Sequence, residues 1–145
     1  MNMMGLTLVD VGADVVLKAF FNNSWPTGGK ALTLKLFTND ITPVDTHIAS
    51  NYTEAAGGGY AAKTLSNGSW TVTPANDPSE AIYAQQVWTF IGALTGPGVI
   101  YGYFVLDADG VLLWAERLTA AFTPANNGDQ VKIMPKVELS KGTPT

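Results

Sequence analysis

The dipeptide Asp109-Gly110 limits the possible folds of this chain more than any other feature. It stands between two runs rich in branched and aromatic residues, Val-Ile-Tyr-Gly-Tyr-Phe-Val-Leu from position 99 and Val-Leu-Leu-Trp-Ala-Glu-Arg-Leu from position 111. A type I′ turn needs positive φ at both central residues, which Asp-Gly tolerates, so residues 99–118 predict an antiparallel hairpin. With Asp109 and Gly110 as the loop, Leu106 faces Leu113 and Phe104 faces Ala115. On the opposite face Val105 meets Trp114, Tyr103 meets Glu116 and Tyr101 meets Leu118. An antiparallel pair with one wet face alternates apolar with polar residues. Here both faces are apolar or aromatic, so both are expected to be covered. The chain's own core covers one side; what covers the other is the functional question.

The rest of the chain is read from changes of period. Over 6–23, Val9, Ala13, Val16, Leu17 and Phe20 recur at spacings of three and four, which predicts an amphipathic N-terminal helix. Asp10 is its natural N-cap, and Trp25-Pro26 prevents its continuation. From Ala31 the period becomes two, with Leu32, Leu34 and Leu36 inward and Thr33 and Lys35 outward. Residues 42–51 read as a polar loop, and Gly57-Gly58-Gly59 as a flexible lead-in to a strand at 60–65. Asn67-Gly68 is a second hairpin signal before Trp70-Thr-Val-Thr. Residues 81–91 alternate as one long strand, and 130–139 alternate again, with Pro135 marking an edge or a bulge. The expected fold is therefore all-β: an antiparallel, jelly-roll-like β-sandwich of seven to eight strands with one N-terminal helix. It forms a single domain over 1–145, with the helix at 6–23, the sandwich at 31–139 and a tail at 140–145.

Composition excludes several function classes. Charged residues make up 14% of the chain, well below the ~25% usual for soluble domains, which suits a surface packed against partners. The eight basic residues form no cluster and the formal net charge is −4, so no nucleic-acid partner is expected. There is no cysteine, hence no disulfide, thiolate metal site or cysteine nucleophile. Residues 81–106 carry no charge, but Gln85-Gln86 and Gly96-Pro97-Gly98 favour two strands over a membrane span. No signal peptide is expected, because residues 1–5 carry no basic n-region and Asp10 and Asp14 interrupt the first apolar stretch.

No catalytic constellation emerges either. His47 is the only histidine and lies in a polar loop, where it can be at most one member of a triad or metal site. Asp107-Ala-Asp109-Gly110 opens like a calcium loop, yet Leu118 stands where the closing glutamate belongs. Glu116 has no second carboxylate placed beside it by the sequence. Gly57-Gly58-Gly59 lacks the Gly-Lys-Ser/Thr and the helix of a phosphate loop. Neither an enzyme nor a cofactor is expected. Trp25, Trp70, Trp88, Trp114 and the tyrosines suit a core, an oligomer interface or a sugar-binding surface.

Six segments in order carry a resemblance: Leu8-Val-Asp-Val-Gly12, Leu36-Phe-Thr-Asn-Asp-Ile-Thr-Pro43, Tyr52-Thr-Glu-Ala55, Gly59-Tyr-Ala-Ala62, Tyr101-Gly-Tyr-Phe-Val105 and Leu113-Trp-Ala-Glu-Arg-Leu118. Together they resemble a family of small virion structural proteins of tailed bacteriophages, similar to capsid decoration (cement) proteins. The resemblance implies a jelly-roll-like homotrimer on the outer shell, assembled in the host bacterial cytoplasm, that binds the major capsid protein and stabilises contacts between capsomers. A tail or head-fibre module binding host surface glycans is the alternative. The expected oligomer interface is Tyr101, Tyr103, Val105, Trp114, Glu116 and Leu118. Asp10, Lys18, Phe20, Trp25 and His47 are candidate capsid contacts, through the helix and the 42–51 loop. The helix can be an arm that docks on a neighbour, but the favoured reading of its stripe is that it covers a sheet of its own domain.

Overall fold

The structure is a computed structural model, and it describes Leu17 and residues 31–73 and 79–139. Asp10, Lys18, Phe20, Trp25 and the 140–145 tail lie outside the described residues, as does all of the expected helix except Leu17, which is helical and buried. The described chain is all-β. Nine strands follow in order: β1 (Leu32–Phe37), β2 (Lys63–Leu65), β3 (Trp70–Thr73), β4 (Ser79–Tyr83), β5 (Gln86–Thr89), β6 (Ile100–Leu106), β7 (Leu112–Phe122), β8 (Gln130–Ile133) and β9 (Lys136–Leu139). Every ladder between them is antiparallel.

The chain divides into two compact units. One comprises Lys30–Ser66 and Gln86–Ile133 and holds a four-stranded sheet in the order β2-β1-β6-β7 together with the β5-β8 pair. The other comprises Met1–Gly29, Asn67–Gln85 and Met134–Thr145 and holds the three-stranded sheet β3-β4-β9. In that smaller sheet Trp70 pairs with Tyr83, and their rings meet edge to face with centroids 5.2 Å apart.

The larger sheet follows from its alternating sequence. Leu34 and Leu36 lie opposite Val105 and Tyr103 and are fully buried, while Thr33 and Lys35 point the other way. That second face is apolar too. Phe37, Tyr52 and Phe104 form its buried cluster, with Ile41, Tyr101, Leu106, Leu112 and Ala115 packed around them.

The central hairpin keeps the expected register through its middle and departs from it at both ends. Tyr103↔Glu116, Phe104↔Ala115 and Val105↔Trp114 pair as anticipated. At the tip, however, Leu106 pairs with Leu112, not Leu113. The cause is Asp107, whose carboxylate Oδ1 accepts the backbone N–H groups of Asp109 and Val111, both at 2.9 Å. With Gly110 N–H donating to the Asp107 carbonyl and Gly110 at φ 84°, the loop is three residues long and not a two-residue I′ turn. At the other end Gly102 pairs with Arg117 but Ile100 with Phe122, so residues 118–121 bulge opposite Tyr101 alone. Tyr101 and Leu118 are therefore not partners.

Three further expectations are corrected. Asn67-Gly68 does not close a hairpin: β2 and β3 belong to different sheets, and the dipeptide connects them. The run 81–91 is two strands, β4 and β5, pairing with β9 and β8 respectively. Its break lies opposite Pro135, which has no N–H to continue a ladder and whose carbonyl accepts from Tyr83 N–H at 2.9 Å. Gly57-Gly58-Gly59 is pinned and is no loose lead-in. Ile91 N–H donates to Gly58 O and Thr95 N–H to Ala56 O, and a Cβ on Gly58 would stand 2.7 Å from the Gly92 carbonyl oxygen. Only a residue without Cβ allows two backbones to approach this closely.

The loop before β8 is organised by one carboxylate. Asp129 Oδ2 accepts the N–H groups of Ala125 and Asn126, each at 2.8 Å, and these bonds hold its carboxyl below the usual aspartate range. A carboxyl whose pKa is lower folded than unfolded stabilises the fold above its unfolded pKa, and that contribution fades as pH falls through the folded one. Asp129→Asn is therefore expected to lower stability at neutral pH and to flatten the acid limb of stability against pH below about 4. Urea melts of both proteins across that range check this; parallel acid limbs would contradict it.

Candidate functional site

The residues around the hairpin tip form a concavity. A cleft of about 320 Å³ lies between Pro43, Val44, Asp45, His47 and Tyr52 on one wall and residues 112–115 on the other. Both walls belong to the larger unit. Arg117 holds the root of the 42–51 loop to β7, donating to the Ile41 carbonyl at 2.8 Å and to Asp40 Oδ1 at 2.5 Å, with its guanidinium 5.1 Å from the centre of the Tyr101 ring. Tyr52 anchors the loop's far end. Its ring stacks on Phe104 and meets Phe37 edge to face, and burial raises its pKa.

His47 lies half-buried in the cleft wall, with Nδ1 3.0 Å from the Tyr52 hydroxyl. Asp45 and Val44 are exposed on the rim. The two segments that form the cleft also carry apolar side chains into solvent: Val44 is 52% exposed, Ile48 63% and Val111 57%. A large apolar residue more than half exposed is common singly; several on adjoining segments beside a cleft mark a contact surface.

The structure distributes the expected interface residues unequally. Tyr103 and Val105 are buried within the single chain. Trp114 and Leu118 are partly buried, and Glu116 is exposed. Tyr101 leaves this group, because it packs with Phe37 and Phe104 on the other face of the sheet. A register shift in the β6–β7 ladder between Ile100 and Gly102 accompanies this placement of Tyr101. Tyr103 hydroxyl donates to Glu116 Oε2 at 2.5 Å. Burial and the Glu116 carboxylate together raise the Tyr103 hydroxyl well above its ordinary range, against a smaller lowering effect of hydrogen bonding from Trp114. A phenol donating to a carboxylate oxygen at this distance is a strong, geometrically fixed pair, and it orients Glu116 at the surface of β7.

A second network orders β1. Lys35 Nζ donates to Glu54 Oε2 at 2.7 Å, Tyr60 hydroxyl donates to Glu54 Oε1 at 3.2 Å, and Leu36 N–H donates to the Tyr60 oxygen. It substitutes for the ladder bonds that the short β2 does not reach, and it reads as structural.

Sequence reasoning reached His47, Trp114 and the 42–51 loop with its Asp45, but not the cleft that joins them, nor Tyr52 and Leu113 in its walls. Among the described residues no group of three or more His, Cys, Asp or Glu side chains could hold a metal ion, and no helix is long and apolar enough to cross a membrane. No family model, curated protein or solved structure matches this chain.

Proposed function

We propose that this chain is a non-enzymatic virion structural protein of a tailed bacteriophage, a jelly-roll decoration protein that assembles as a homotrimer on the capsid surface and binds the major capsid protein. The observation that carries the reading is the surface at the hairpin tip, where Val44, Ile48 and Val111 stand exposed around a cleft fixed from below by Arg117 and Tyr52. A solvent-facing apolar rim on a well-packed base suits adhesion, because little ordering entropy is lost when a partner covers it. In this reading the 42–51 loop and His47 meet the shell, and Trp114, Glu116 and Leu118 on β7 meet a neighbouring protomer. Closed cyclic symmetry lets one such patch serve every subunit.

Sedimentation of the isolated protein at micromolar concentration tests the assembly. A trimer that loses mass on Trp114→Ala is expected; a folded monomer overturns it. One feature favours the second reading, a glycan-binding tail or fibre module: Trp114 shares the cleft with Asp45 and His47, and an aromatic flanked by polar groups suits a sugar ring. Binding on a glycan array that His47→Ala abolishes would shift the assignment to that module.

A further inference from the structure

The chain contains two Asn-Gly dipeptides, and the fold treats them in opposite ways. Asn-Gly is where an asparagine side chain is most open to attack by the next backbone nitrogen, because glycine has no Cβ to block the approach. At Asn127 that nitrogen is engaged: Gly128 N–H donates to the Phe90 carbonyl at 2.8 Å. The surrounding loop is held as well, by Asp129 Oδ2 on the Ala125 and Asn126 N–H groups and by Phe90 N–H on the Asp129 carbonyl. At Asn67 the described residues show none of this. Among the described residues the Gly68 N–H has no acceptor, the Asn67 side-chain nitrogen Nδ2 is buried without a hydrogen-bond partner, and the space beside the Gly68 Cα is open.

We propose that Asn67 is a self-modification site of the folded protein, converting to aspartate and isoaspartate while Asn127 is protected. Gly68 N gives up its proton and bonds to Asn67 Cγ. The Cγ–Nδ2 bond breaks, and the side-chain nitrogen leaves as ammonia. The resulting succinimide takes up one water and opens at Cγ to give aspartate, or at the main-chain carbonyl to give isoaspartate. Water is the only co-reactant. The product adds one negative charge to a chain already at −4. In the iso form it also inserts a methylene into the backbone where the chain leaves Lys30–Ser66 for Asn67–Gln85. At Asn67 neither the Gly68 nitrogen nor the buried side-chain amide has a hydrogen bond to break before attack, whereas at Asn127 a hydrogen bond and a held loop must first open.

The test uses the full chain, folded, at neutral pH and body temperature over several weeks. Trypsin separates the two sites, cutting after Lys63, Arg117 and Lys132. Mass spectrometry is expected to find a one-dalton gain at Asn67 at about ten times the rate at Asn127. In denaturant the two rates are expected to converge, because the Gly128 bond is gone. Equal or faster modification of Asn127 in the folded protein overturns the proposal. So does an Asn67 that stays intact while the denatured chain modifies both sites. An Asn67→Gln variant must abolish the signal in the 64–117 peptide; its persistence would assign the change to Asn76 and also overturn the proposal.

Discussion

Phe37→Ala is expected to destabilise the protein by about 3–5 kcal/mol, the usual range for emptying a fully buried aromatic site. Phe37 has no exposed surface, meets Tyr52 edge to face at 5.1 Å and packs in one cluster with Phe104. Its removal does more than delete apolar area. The Tyr52 ring lies between Phe37 and Phe104 and carries the hydroxyl that holds His47, so the wall of the cleft loses its support from behind. Urea unfolding of the variant should show a midpoint lowered by that free energy divided by the slope, with the slope itself unchanged. Phe37→Leu should recover more than half of the loss. A cost below about 1 kcal/mol would mean the cluster relaxes into the space, contrary to its dense packing here.

The parts of this fold that were legible in sequence are those fixed by local chemistry. Alternation placed Leu32, Leu34 and Leu36 in the core, and Asp109-Gly110 located the hairpin and its register at Tyr103↔Glu116. What escaped was set by side chains acting across the chain. The Asp107 carboxylate added one residue to the loop by capturing two N–H groups, a competition that a dipeptide rule does not include. The run 81–91 contains no breaker of its own; its division is imposed by Pro135, some fifty residues later in the chain. The cleft was invisible for the same reason, since its walls come from residues 43–52 and 112–115 and are joined by Arg117 reaching back to Asp40 and Ile41. Its rim had a weak signal in Val44 and Ile48, two branched apolar residues in an otherwise polar loop. Local pattern reveals strands well, whereas a surface assembled from distant loops has no period to read.

Gly102 tests the same cluster from the other side. Gly102→Ala is expected to cost about 2–4 kcal/mol, although alanine favours a strand more than glycine does. The reason is space and not backbone conformation. A Cβ at position 102 would collide with the Glu116 carbonyl oxygen on β7 and with the edge of the Phe37 ring. These obstacles differ in kind. The ring can rotate or be trimmed, but the carbonyl belongs to the strand that carries Trp114 and Glu116 and cannot retreat without parting β6 from β7. Combining Gly102→Ala with Phe37→Leu is therefore expected to recover about 1 kcal/mol through their coupling, with most of the Gly102 cost remaining. Full rescue would show that the ring alone excludes a side chain there. Partial rescue means that close approach of the two hairpin strands is what demands glycine, and that the surface of β7 is set by a contact on its inner edge.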